Sequence, residues 1–369
     1  MAHYDVAIVG GGPAGSAAAI TLARLGRHVV LADSSPAERF RVGEGFPPSA
    51  RSLLNDLQIL DEFLAAGHRP SYGNVSVWGD AVPRTDDFIG HLHGQGYQLD
   101  RARFDQQLRD AARQAGAAVY ESSRLTLQAH ANDGFQLRLN ATDNLSSRWL
   151  IDAGGRPAVL ARQLGAQRLV DDRLGAFFLL LHSQQGSDRD GRTLVEAVEN
   201  GWWYSVLLPS GRRLVTFLGD LDLLDRQSLL GAEGLWQTLA HTQVLSSLCR
   251  EHAYQPEGPA QGRDASSGHL AQSQGNGWAA VGDAALSFDP LSSQGIAMAL
   301  YSGQACAQAV HSALQGDCQA LTRYADLQAR IYHAYLDNRR AFYAMEQRWS
   351  GSAFWQRRHL MIKATEALQ

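Results

Sequence analysis

Residues 4–33 read YDVAIVGGGPAGSAAAITLARLGRHVVLAD. The apolar run Tyr4–Val9 predicts a buried strand, Ala14–Leu25 a helix whose small residues pack closely, and Val29–Ala32 a second strand closed by Asp33. Gly10, Gly12 and Gly15, with Pro13 and Ala14 inside the pattern, form G-x-G-x-x-G directly after the strand and at the helix start. There the first glycine permits a tight turn, the second lets a pyrophosphate approach the backbone, and the third lets helix and strand pack. Free amides at the helix N-terminus face phosphate charge. Asp33 stands where a carboxylate accepts hydrogen bonds from a ribose 2'-hydroxyl. The stretch predicts an α/β unit that binds a dinucleotide, and it does not separate FAD from NAD.

A second motif lies far along the chain. Gly282-Asp283-Ala284-Ala285 follows a short apolar strand and leads to Asp289-Pro290-Leu291-Ser292-Ser293-Gln294-Gly295-Ile296, where a small-residue helix begins. Asp283 there can bind a ribityl hydroxyl. Pro290 and the free amides beyond it set a positive helix end against an anionic flavin ring. Together the two motifs resemble those of the FAD-dependent monooxygenases with the p-hydroxybenzoate hydroxylase fold.

Further matches extend the resemblance to the tryptophan-halogenase-like branch. Gly43-Glu44 with Pro47-Pro48 resembles a G-E-x-x-x-P segment that passes near the flavin in those proteins, and Arg41 just before it is a candidate FAD contact. Asp100 to Asp105 (DRARFD) resembles a helix start whose arginine, here Arg101, lies by FAD. At Asp152–Arg156 the family's D-G turn has Ala153 in place of glycine, which puts direct NAD(P)H contact in doubt. The halogenases' lysine is absent: the comparable stretch Ser71-Tyr72-Gly73-Asn74 has Gly73, and Trp202 to Leu207 (WWYSVL) departs from their W-x-W-x-I-P. These departures argue against halogenation. The nearest resemblance is to flavoproteins that mature tryptophylquinone-containing lysine and glycine oxidases. It implies hydroxylation of an indole-type aromatic, with a tryptophan side chain of a quinoprotein oxidase precursor as one candidate substrate.

Composition bounds the alternatives. A chain of 369 residues, 45% hydrophobic, carries a formal charge of -4, which argues against a nucleic-acid binder. Lys363 is the only lysine. Cys249, Cys306 and Cys318 form neither a disulfide framework nor a metal set, so a reducing cytoplasm is expected. No apolar stretch reaches the roughly 18 residues of a membrane span. His91 and His93 lack a third ligand at metal spacing, and no metal is expected.

Along the chain, Pro47–Leu64 and Asp100–Ala115 read as helical, Val75–Trp78 as a strand, and Asp80–Gly96 as hairpin or loop. Residues 174–220 contain four strand-like runs, Leu229–Cys249 has helical spacing, and Ala320–Leu360 is a helical tail rich in aromatics and arginines. The fold expected is α/β: a Rossmann-type FAD-binding domain (1–79, 97–170 and 265–318) interleaved with an antiparallel-sheet substrate domain (80–96 and 171–264), plus C-terminal helices (319–369). The tail either packs on the body or docks a protein.

The expected chemistry is oxygen transfer to an aromatic ring, with molecular oxygen as co-substrate and NAD(P)H or a separate flavin reductase as electron source. Glu44, Pro290 and Gln294 are the candidate catalytic residues, and Ser293, Gly295 and Ile296 join the flavin contacts. Trp202, Tyr204 and Phe46 are candidates for the substrate pocket. Successive strand residues point to opposite faces, so Trp203 cannot share their wall. Two other functions remain open: a flavin-dependent reductase of the geranylgeranyl-reductase type, and a non-catalytic FAD-binding maturation chaperone.

Overall fold

The computed structural model describes residues 2–35, 40–131, 134–140 and 142–366. From the N-terminus run β1 (Ala2–Val9), α1 (Pro13–Arg24), β2 (Val29–Ala32), β3 (Gly73–Val77), α2 (Arg101–Gln114), β4 (Ala118–Tyr120) and β5 (Asp143–Asp152). They are followed by β6 (Leu174–Ser183), β7 (Thr193–Val198), β8 (Gly201–Leu207), β9 (Arg213–Asp220), β10 (Trp278–Ala280), α3 (Gly295–Leu314), α4 (Ala320–Met345) and α5 (Ala353–Glu366).

The first sheet carries five parallel neighbours in the order β10-β5-β1-β2-β4. Its strands are apolar on both faces because both are covered, one by α1 and α3 and the other largely by residues of the strands Leu125–Ala131 and Gly134–Leu139. Val6, Ile8, Val29 and Leu31 pack against α1 and α3, while Ala7, Val30 and Leu150 face the opposite core. The strand ends at Val9, Ala32 and Asp152 converge on one edge, where ligands bind in doubly wound sheets.

The second sheet follows the order Tyr254–Pro256, β6, β9, β8, β7, β3, Arg84–Asp87. It is antiparallel except for the parallel pair β7 and β3. One face packs Phe177, Leu179, Trp203, Val215 and Phe217 against short helices. The other presents Trp202 and Tyr204 towards the flavin unit and the C-terminal helices.

Two expectations are corrected. The strand at Gly73–Val77, grouped by sequence with the nucleotide-binding unit, lies in the second sheet, pairing Asn74–Val77 with Thr193–Glu196 and forming a hairpin with Arg84–Asp87. Its alternation fitted either sheet, and only the partner decided. The helical run Leu229–Cys249 breaks into pieces that include Ala232–Leu239 and Val244–Glu251. The buried Glu196 carboxylate accepts from Val244 N (3.1 Å) and Leu245 N (3.0 Å), a non-local cap that starts the second piece. The C-terminal tail takes the first of its two readings and packs on the body: Tyr343, Phe354 and Trp355 are buried against Trp202 and Leu218, and the Arg358 guanidinium pairs with Asp220 at 2.8 Å.

Candidate active site

At the edge of the first sheet the chain turns at Gly10, whose φ is 108°. A Cβ on Gly10 would stand 2.2 Å from the Ala153 carbonyl oxygen, and one on Gly15 would stand 1.9 Å from the Gly10 oxygen. Both positions therefore require glycine. Gly12 differs, because the nearest atom to its virtual Cβ is Arg41 Nη1 at 4.0 Å, so its backbone borders open space. No side chain caps α1, whose first amides stay free for an anionic group. This open cradle fits a pyrophosphate.

Asp33 is buried at the end of β2 and accepts from Ser35 N at 2.9 Å. Its Oδ2 lies 3.5 Å from Arg41 Nη2 and 3.8 Å from Arg109 Nη1. Sequence reasoning missed Arg109, which also donates to the Gly11 carbonyl at 3.3 Å and pairs with Glu121 at 3.1 Å. A signal existed: Arg101, Asp105 and Arg109 recur every four residues, which places them on one face of α2.

That face ties down the segment from Arg41 to Glu44. Asp105 pairs with Arg41 at 2.8 Å and Arg101 at 3.2 Å, and Arg101 Nη1 donates to the carbonyls of Gly43 (2.8 Å) and Val42 (3.1 Å). Glu44 follows and is 2% exposed. Its Oε2 accepts from the Tyr204 hydroxyl at 3.3 Å, and Oε1 has no partner among the described residues. Burial pushes the Glu44 carboxyl up to about 7, with Arg101 pulling it back in part. Burial and the Glu44 charge hold Tyr204 well above its ordinary value, so Tyr204 remains a donor. Residues of the two units thus meet in one buried acid–phenol pair.

At the second motif, Gly282 N donates to Ser302 Oγ at 3.0 Å. The half-buried Asp283 carboxylate lies 3.4 Å from Arg156 Nη1. Arg156 also donates to the carbonyls of Ser266 and Phe288, both at 3.3 Å, so the residue closing the A-G-G turn braces this motif, which sequence reasoning did not foresee. Pro290–Ser292 forms a short 3-10 turn, Ser293 takes a left-handed φ of 50°, and α3 opens with no side-chain cap. Ser293, Gln294 and Gly295 are exposed there, whereas Ile296 is buried in the core. The exposed amide end fits an anionic ring.

The three pocket candidates separate. Tyr204 reaches Glu44, as described. Phe46 is 2% exposed, with its ring centroid 5.2 Å from Phe63 and 5.9 Å from Phe104, so it belongs to the core. Trp202 is 1% exposed, and its Nε1 donates to the Tyr343 hydroxyl at 3.1 Å. Both are enclosed by aromatic neighbours that lie far from them in sequence. Among the described residues no cluster of three or more His, Cys, Asp or Glu could hold a metal, and no helix is long and apolar enough to cross a membrane.

Comparison with known proteins agrees with this architecture. Residues 3–199 match the FAD binding domain family. LodB of Marinomonas mediterranea, which carries the name of an FAD-dependent oxidoreductase, is 32% identical over 97% of this chain and 98% of its own. The flavin-dependent halogenase gsfI of Penicillium aethiopicum is 28% identical over 85% of this chain, which spans 65% of that longer protein. The structure of QhpG, a peptidyl tryptophan dihydroxylase essential for tryptophylquinone cofactor biogenesis, superposes with a TM-score of 0.78. It is 27% identical, and the match covers 97% of this chain and 79% of that one. The myxobacterial chondrochloren halogenase CndH, at 24% identity, shares the fold with a TM-score of 0.86 over 100% of this chain and 89% of its own. The chain belongs to the FAD binding domain family and is an FAD-dependent oxidoreductase of the halogenase and monooxygenase fold.

Proposed function

We propose that this protein hydroxylates an indole-type aromatic, with a tryptophan side chain of a partner protein as the favoured substrate. The observation that carries the reading is the buried Glu44–Tyr204 pair, an acid poised near neutrality where the two units meet. QhpG, a peptidyl tryptophan dihydroxylase matched over 97% of this chain, supports the peptidyl substrate.

Gly10, Gly12, Pro13, Ala14 and Gly15 would hold the FAD pyrophosphate, Asp33 the ribose, Asp283 the ribityl chain, and Pro290 with Ser293–Ile296 the ring. Arg41 and Arg101 would fix the neighbouring segment. When bound and reduced, FAD supplies activation of molecular oxygen. Overall, one O2, two electrons and two protons place one oxygen atom in a ring C–H bond and release the other as water. The electrons come from NAD(P)H or a separate flavin reductase. Glu44 accepts the proton that leaves the ring carbon, and Tyr204 holds the Glu44 carboxylate by donating to Oε2. A reducing cytoplasm suits Cys249, Cys306 and Cys318, which are free thiols.

Halogenation is the second reading, favoured by relatives such as gsfI. Against it, a Cβ on Gly73 would stand 2.4 Å from the Asp86 carbonyl oxygen, leaving no room for a lysine at that position. The test is to reduce the FAD-loaded protein and admit 18O2 with chloride, bromide and a tryptophan-bearing peptide. Mass spectrometry should find one 18O in the indole. Halide incorporation instead would support the second reading. Flavin oxidation with no substrate-linked oxygen uptake would leave the chaperone role, and reduction of an isoprenoid alkene would support the reductase.

A further inference from the structure

Asp289 immediately precedes the turn that would face the flavin ring. It is 1% exposed. Its Oδ1 accepts from Leu291 N at 3.0 Å, and its backbone oxygen accepts from Ser292 Oγ at 2.9 Å, so Asp289 shapes the turn from within. Three residues of α4 grip it. Asp289 N donates to the Tyr335 hydroxyl at 2.9 Å, Arg339 Nε lies 3.5 Å from Oδ2, and the Tyr343 hydroxyl donates to Oδ2 at 2.8 Å. Tyr335, Arg339 and Tyr343 recur every four residues and therefore form one stripe of the helix.

The stripe is also anchored on the second unit. Arg339 Nη2 pairs with Asp172 at 2.7 Å, and Tyr343 accepts from Trp202 Nε1 at 3.1 Å. All three stripe residues are buried. The turn they hold contains Ser293 at φ 50°, a left-handed conformation that a non-glycine residue keeps only when its surroundings impose it.

We infer that Tyr335, Arg339 and Tyr343 are positioning residues that set the Pro290–Gly295 turn, and with it the affinity of the protein for reduced relative to oxidised flavin. A buried aspartate without its cation and phenol donor would leave the turn free to relax, moving the free amides of α3 away from the ring's negative charge. The inference rests on the reading that this turn faces the flavin, and it is independent of the substrate.

The test uses the purified FAD-loaded protein. The midpoint potential of the bound flavin and the FAD dissociation constant are measured for Arg339→Met, Arg339→Lys and Tyr343→Phe. Arg339→Met and Tyr343→Phe should weaken binding of reduced relative to oxidised flavin about tenfold, a potential about 30 mV more negative. Arg339→Lys, which keeps the charge, should recover most of the shift. Tyr254→Phe is the control, since it deletes a buried hydroxyl that donates to Asp188 at 2.8 Å in the second sheet, and it should leave the potential unchanged. If Arg339→Met does not fold, Tyr343→Phe decides alone. Potentials that stay at the wild-type value in the stripe variants, or move equally in Tyr254→Phe, overturn the inference. Gly295→Ala separates the premise, because no atom lies within 4 Å of its virtual Cβ. A shift there with none in the stripe variants defeats the positioning role, and no shift anywhere defeats the flavin-facing reading.

Discussion

Replacing Glu44 with glutamine keeps the side chain's shape and removes the carboxyl of the buried pair with Tyr204. The carboxyl stands at about 7 against an ordinary 4.5, so the folded protein holds a proton that the unfolded chain has lost across that interval. Stability from this group is therefore complete below pH 4.5 and falls as pH rises to 7, by about 3 kcal/mol. His68 acts with the opposite sign. Burial lowers it from 6.5 to about 4, so the unfolded chain holds the extra proton there and stability rises with pH between those values. The two slopes largely cancel in the wild type. Glu44→Gln leaves the His68 slope uncovered, and the variant should gain about 3 kcal/mol relative to wild type between pH 4.5 and 7.5. Urea unfolding at constant ionic strength and saturating FAD measures the difference. In turnover, the limb of the wild-type kcat profile near pH 7 should vanish in the variant. A stability difference that stays flat with pH would refute the placement of Glu44 as a raised, buried acid.

Three further outcomes follow from the geometry. Gly15→Ala should yield no folded FAD-binding protein, because its Cβ meets the Gly10 oxygen at 1.9 Å, whereas Gly12→Ala should fold yet bind FAD at least about tenfold more weakly. Soluble yield and flavin absorbance separate the two. Arg109→Met removes the buried partner of Asp33 and Glu121 and should cost on the order of 3 kcal/mol in denaturant unfolding. Gly73→Lys should destabilise the second sheet and give no halogenated product, since the new Cβ collides with the Asp86 carbonyl before the ammonium can reach any site. Thermal melts and mass spectrometry of reactions run in bromide test this.

The glycine turn was legible because its constraints are local. A tight turn, a close helix–strand approach and a free helix end each restrict a residue to glycine or small side chains within a few positions, and Gly10 and Gly15 show those restrictions directly. The strands of the second sheet were legible from alternation, and alternation also separated Trp203 from Trp202 and Tyr204. Glu44 stood out only through its family resemblance, since nothing local distinguishes a solvated turn carboxylate from a buried one.

What the sequence determined by itself was the parallel α/β unit, its nucleotide-binding edge and the choice of a flavin. What tertiary structure decided was which side chains remain available to a ligand. Phe46 and Trp202 became core once Phe63, Phe104 and Tyr343 closed over them. Arg109 and Arg156 became braces, and Gly73–Val77 joined the second sheet. Likewise the Tyr335–Arg339–Tyr343 stripe acquired meaning only when Asp289 was found beneath it. The physical reason is common to all of them. Periodicity tells which residues share a face, but burial and charge pairing depend on what distant segment that face meets.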